Sequence, residues 1–174
     1  MPAQGECDAS DQTKRRRRVV MFASADIEVA QPFGEVAVVL EESPASWLAA
    51  LIEEAGRDSS ELLDTVGPEG SAYRFPILEE VTVHPALHMD GGLVVPIAWG
   101  SAAPEAIFRV GEADLFVVPL EEPARTRIEL SARVSAATDT PGGGPNLELL
   151  EATQAYMRRL AELIGAHLLH HVAA

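Results

Sequence analysis

The stretch VTVHPALHMDGGLVVPIAW (residues 81–99), continued by IFRVGEADLFVVPL (107–120) and TRIELSARVS (126–135), decides the fold. It reads as an antiparallel run of strands without a helix among them. Its last segment alternates cleanly, with Ile128, Leu130, Ala132 and Val134 on one side and Arg127, Glu129, Ser131, Arg133 and Ser135 on the other. A period of two with one dry and one wet face marks an antiparallel sheet covered on one side. Leu93, Val95, Ile97 and Trp99 share a face in the same way. So do Leu115 and Val117, against Asp114, Phe116 and Val118. Residues 107–120 form one long strand or two broken at Gly111. Asp90-Gly91-Gly92 is a hairpin signal. Pro85 and Pro96 each remove a ladder donor, which predicts an edge or a bulge at both places.

Such a sheet has an apolar face that something must cover. The C-terminal segment, 147 to about 169, is the long amphipathic helix available. Asn146 is its candidate cap, and Leu149, Thr153, Tyr156, Met157, Leu160, Leu163, Ile164 and His167 form its inner stripe. Upstream, residues 19–30 are read as a possible strand of unassigned register. GEVAVVLEE (34–42) reads as a strand on the alternation of Val36, Val38 and Leu40. Ser43-Pro44 then starts a helix carrying Trp47, Leu48, Leu51 and Ile52, which Gly56 is expected to end. A second short helix follows from Ser59 or Ser60 to Gly67. GPEGS (67–71), SAAPEA (101–106) and TDTPGGGPN (138–146) read as loops. The expected fold is α+β: a curved antiparallel sheet gripping a long C-terminal helix, with two short helices after the first strand.

Two places resemble the START-like or Bet v 1-like helix-grip superfamily, which includes polyketide cyclases and lipid-binding proteins. VVLEESPASWLAAL (38–51) is similar to the family's strand, Ser-Pro, then helix with a Trp-Leu pair. LVVPIAW, then FRVGEADLFVVPLEEPARTRIELS, then EATQAYMRRLAELI is similar to the strands and closing helix of bacterial members. The likeness runs over roughly residues 33–169. It implies an apolar cavity between sheet and helix, lined by Val95, Ile97, Trp99, Leu115, Val117, Ile128, Leu130, Tyr156 and Leu160. The chain departs from typical members in its sparse aromatics, the segment before Phe33 and the glycine-rich connection before the last helix.

At 174 residues one domain is expected, 19–174, preceded by a polar tail, 1–18, read as disordered. Net charge is −14. Lys14 to Arg18 supply five of 13 cationic residues and three of 27 acidic ones precede them. The remainder carries eight against 24, a body near −16. A body so acidic repels polyphosphate, so no nucleic-acid binding by the folded domain is expected. KRRRR could dock an anionic partner. No apolar run reaches the roughly 18 residues of a membrane span. Although the arginines before VVMFASA resemble a signal start, the run ends at Asp26, so a cytoplasmic protein is expected. Cys7 is the single cysteine and lies in the tail, which excludes a disulfide framework.

Motifs for nucleotide, serine-hydrolase or HExxH chemistry are absent. GGG at 142–144 lacks the flanking strand and Lys-Ser of a phosphate loop. His84 and His88 are four apart on a strand, roughly 13 Å, too far for one metal ion unless a bulge at Pro85 shortens the span and His167 joins them. No metal or cofactor is expected. Among Tyr156, Asp114, Arg109 and His88, Tyr156 is the best-placed polar contact for a ligand, since Asp114 has outward parity. Three readings follow. The leading one is a protein that binds a hydrophobic or amphipathic small molecule, lipid or polyketide-like. The others are a cyclase or aromatase-type enzyme using the same cavity, and a ligand-free interaction module.

Overall fold

The computed structural model describes residues 17–66, 80–100, 108–122, 124–138 and 147–172. In chain order they form β1 (Arg17–Val29), α1 (Phe33–Glu42), α2 (Pro44–Val66), β2 (Glu80–Val83), β3 (Leu87–Met89), β4 (Gly92–Gly100), β5 (Phe108–Pro119), β6 (Thr126–Thr138) and α3 (Leu147–Val172). Residues 1–16 of the expected tail (1–18), the expected loops at 67–71 and 101–106, residues 139–146 of the expected loop at 138–146 and the Asn146 cap lie outside the described residues. Arg17 and Arg18 are the first residues of β1.

All strands belong to one antiparallel sheet in the order β1-β6-β5-β4-β2, with β3 also on β4. Register places the inward residues in rungs across it. Ile27, Ile128, Val117 and Leu93 form one rung, and Ala25, Leu130, Leu115 and Val95 the next. Ala23, Ala132, Ala113 and Ile97 follow, then Met21, Val134, Gly111 and Trp99. The opposite face is wet: Arg127 meets Asp26 at 3.6 Å, Arg133 meets Glu112 at 4.0 Å, and Arg125 pairs with Glu28. Exposed pairs of this kind contribute at most about 1 kcal/mol each.

β5 is continuous through Gly111, with a register shift between Phe108 and Val110. Pro96, expected at an edge or bulge, instead lies inside β4, paired with β5 on one side. Its carbonyl accepts the His84 N–H at 2.9 Å on the other side. A strand residue's N and O point the same way, so the missing donor of Pro96 faces the interval between β2 and β3 that holds Pro85. The two prolines thus share one break in the edge. The hairpin signal holds: Met89 pairs with Gly92, and Gly91 adopts φ +82 between them.

Residues 34–42 are helix, not the expected strand. Pro32 caps α1 through its carbonyl, which accepts from Glu35 and Val36 at 3.1 and 3.2 Å, and Glu35 lies in the first turn. Val36, Ala37 and Leu40 are buried while Val38 is 50% exposed, a helical stripe that the alternation of valines and leucine had imitated. Pro44 disfavours helical geometry at Ser43, which separates α1 from α2. α2 then runs 23 residues through Gly56 rather than ending there, so the expected pair of helices is divided at Ser43 and not at Gly56. Leu48, Ile52, Ala55 and Ser59 make a single buried stripe across that point, and packing of the stripe outweighs the ~1 kcal/mol helix penalty of glycine.

α3 lies along β1 and touches β6. α2 packs on α3 and reaches β2, and α1 meets α3 and β5. Gln154 Nε2 donates to the Ser24 carbonyl at 2.6 Å, while a Cβ at Gly165 would stand 3.0 and 3.5 Å from Ile27 and Val29. The helix therefore tracks β1 in the same direction. Arg159 Nε donates to Asp58 at 2.7 Å and ties α3 to α2.

The helical assignment of α1 makes Leu40 and Val38 inequivalent, although a strand would put both on one face. Leu40→Ala is expected to cost about 2–5 kcal/mol in chemical denaturation, and Val38→Ala about 0.5 kcal/mol or less. Equal losses at both positions would contradict the helix.

Candidate functional site

The nine residues expected to line a cavity are brought together. Val95, Ile97, Trp99, Leu115, Val117, Ile128, Leu130, Tyr156 and Leu160 are each 3% exposed or less and belong to one apolar cluster. The strand members sit on the inner face of the sheet, and Tyr156 and Leu160 on the facing stripe of α3. Met157, Ile164 and Leu168 complete that stripe.

The inner face is uneven along its length. At the end bearing Leu93, Val117, Ile128, Val95, Leu115 and Leu130, every side chain is large and at 0% exposure. At the other end the rungs carry Ala23, Ala132, Ala113 and Gly111 beside Met21, Val134, Ile97 and Trp99. Sequence reading puts Ala132 on the dry face and Gly111 at a possible strand break but gives no small residue a place in the cavity lining, because counting apolar alternation favours bulky residues. A glycine within an alternating strand is the available signal, since it marks close approach of another group. The group here is Trp99, cross-strand partner of Gly111. A Cβ on Gly111 would fall 2.1, 2.3 and 2.5 Å from Cε2, Cζ2 and Nε1 of the indole, so the ring lies flat over the glycine.

That ring brings a polar atom with it. Trp99 is 3% exposed, and its Nε1 is the one buried side-chain nitrogen or oxygen among the described residues without a hydrogen-bond partner. Other buried polar groups are neutral as well. Thr126 Oγ1 donates to the Gln31 carbonyl at 2.7 Å, pinning the β1–α1 connection to β6; Ser59 and Thr153 are also buried. Burial raises the Tyr156 phenol well above its ordinary range and keeps it protonated. α3 carries Ala152, Thr153 and Tyr156 close to Gln154, hence above the Ala23–Ala25 part of β1.

The remaining candidates lie elsewhere. Asp114 is exposed on the wet face, as its parity predicts. The side chain of Arg109 is outside the described residues. His88 pairs with Glu41 of α1 at 2.9 Å, and His84 is exposed on the broken edge. His167 stacks on Trp47 with centroids 4.3 Å apart and contacts His171 at 4.2 Å. No cluster of metal-ligating side chains occurs among the described residues, and no described helix is long and apolar enough to cross a membrane.

No protein-family model matches the chain, and no curated protein sequence does. Among solved structures it is similar to a START superfamily protein from Mycobacterium smegmatis (16% identity, TM-score 0.40, covering 86% of this chain and 98% of that one). It is also similar to norcoclaurine synthase from Thalictrum flavum (12%, TM-score 0.43, 88% and 89%). A third is the Zhui aromatase/cyclase from Streptomyces sp. R1128 (16%, TM-score 0.36, 89% and 94%). The likeness is one of overall layout, and what these proteins bind or make is a statement about them.

Two outcomes test the site's packing and electrostatics. Gly111→Ala forces the indole to move and is expected to cost about 1–3 kcal/mol, a melting-temperature drop of roughly 2–12 °C by calorimetry. In a Trp99→Leu background the same substitution should cost much less. For His167, burial first and then the neighbouring His171 and His170 lower its pKa from the usual 6.5. The unfolded chain therefore binds the proton more readily, and stability present above pH ~6.5 is lost as pH falls towards the folded-state pKa. Stability should decline with acidification in that window, and His167→Gln should flatten the slope.

Proposed function

We propose that the chain binds an apolar small molecule between the inner face of the sheet and α3. The observation that carries this reading is the unevenness of that face. Large aliphatic side chains fill the strands at one end, while at the other Gly111, Ala23, Ala113 and Ala132 alternate with Met21, Ile97, Val134 and Trp99. α3 comes down over β1 and β6 on one flank and α2 towards β2 on the other, and α1 meets β5 between them. A largely apolar concavity with a few fixed polar groups is the usual form of a small-molecule site. On this reading the lining of the expected cavity shifts towards Trp99, Ala113 and Ala132, with Tyr156 opposite, and residues 19–174 act as one binding domain.

A carrier or sensor is preferred to a cyclase. Acid–base catalysis needs titratable groups converging on the reacting atoms, with pKa values near the working pH. The buried polar groups described are hydroxyls and an indole, and the phenol is held protonated. The acidic wet face supports the further expectation that polyanions are not partners.

Native mass spectrometry of protein purified from its own host, with analysis of an organic extract, tests the reading. A stoichiometric, solvent-released adduct is expected, and Ala132→Leu should abolish it without lowering the melting temperature. A bare mass, together with a destabilised Ala132→Leu protein, would mean that this end is filled by the chain itself and would overturn the proposal.

A further inference from the structure

Within that binding reading, on which the inference rests, we infer that the ligand is uncharged and carries a hydrogen-bond acceptor oxygen, a carbonyl or ether, which receives the Trp99 Nε1–H. The indole lies over Gly111, at the small-residue end of the inner face, with Nε1 beside the point a Cβ would occupy. Trp99 is 3% exposed and this N–H lacks a partner. An indole nitrogen is a donor only, so the group that satisfies it must be an acceptor. A purely hydrocarbon ligand would leave the donor unpaired, and water lost from it would not be replaced.

The described side chains favour a ligand without charge. The buried polar residues described, Ser59, Thr126 and Thr153, are neutral, as are Tyr156 and Trp99. The cationic side chains described about the sheet, Arg125, Arg127 and Arg133, are on the wet face or its rim and engaged with Glu28, Asp26 and Glu112. A carboxylate or phosphate placed over Gly111 would be a desolvated charge with no described cation to meet it, a far larger penalty than one neutral hydrogen bond can offset. A ketone or ether on an apolar skeleton meets both conditions: its carbon frame rests on the alanines, and its oxygen takes the one open donor.

The test compares 2-ethylnaphthalene, 2-acetylnaphthalene and 2-naphthoate by calorimetric titration into the full chain and its Trp99→Phe variant. The wild-type protein should bind both neutral probes and bind naphthoate most weakly. Trp99→Phe keeps an aromatic ring over Gly111 but deletes the donor, so the acetyl-to-ethyl affinity ratio should fall by roughly 2- to 12-fold. A second measurement does not depend on that variant folding. In Trp47→Phe protein the remaining indole N–H resonance belongs to Trp99, and it should move downfield with the acetyl probe and not with the ethyl probe. An unchanged ratio or a stationary resonance would overturn the acceptor assignment, and naphthoate as the tightest probe would overturn the assignment of a neutral ligand, each while leaving apolar binding intact. Failure of all three probes to bind would overturn the binding reading with it.

Discussion

β6 is the strand on which the remaining structure depends. It has β1 on one side and β5 on the other, and each inward rung of the sheet passes through Ile128, Leu130, Ala132 or Val134. A slip of one residue in either pairing would turn a complete apolar set towards water. Several contacts oppose such a slip. Thr126 at the start of β6 is tied to Gln31 across the β1–α1 connection, Arg125 reaches Glu28, and the indole of Trp99 fits the one position in β5 that lacks a Cβ. Register is thus held at both ends of the sheet by different chemistry, polar at the Thr126 end and steric at the Gly111 end.

α3 covers the inner face of this sheet. It lies on β1, an edge strand, and Gln154 hydrogen-bonds an edge carbonyl while Gly165 lets the helix backbone come down onto Ile27 and Val29. The approach is close at the Gly165 end, where the facing residues are large. Towards the N-terminal half of the helix the facing strand residues shrink to alanine. The same helix therefore seals one end of the inner face and spans the other. Arg159 to Asp58 fixes α2 against it, so the roof is two helices wide rather than one.

Much of this was readable in the chain. Thr126 to Ser135 shows its two faces because each residue type, from Ile128 to Arg133, agrees with a period of two. Leu93 to Trp99 and the Gly91 turn are equally explicit, and Tyr156 and Leu160 stand in a stripe whose 3.6 period is unmistakable. What could not be read had two physical causes. Val36 and Leu40 fit both periods, and only burial, which takes in Ala37 and leaves Val38 outside, separates helix from strand. Gly56 and Pro96 carry strong local preferences that tertiary packing overrode: a buried stripe carried α2 through the glycine, and a matching gap in the edge strand accommodated the proline inside β4. The small end of the site was hidden for a third reason. Alanine and glycine give little hydrophobic signal, and their meaning depends on which residue lies across the register.

The Trp99–Gly111 pair brings together two local costs. Glycine in a strand interior is worse than alanine by roughly 0.5–1 kcal/mol, and a buried donor left unpaired costs about 1–3 kcal/mol. A Leu at 99 opposite an Ala at 111 would fill comparable space with neither cost. Set against net stabilities of about 5–15 kcal/mol for a domain, the difference is not small. Departures from local consistency concentrate where a chain does its work, because that is where a purpose other than stability selects the residue. The indole is the unusual choice here, and its distinguishing feature over any aliphatic replacement is a donor directed into an otherwise neutral interior. On the proposed reading the chemistry of recognition lies at the Gly111 end of the sheet, away from the rungs of large aliphatic residues, so recognition could be altered there with little disturbance to the register that β6 maintains.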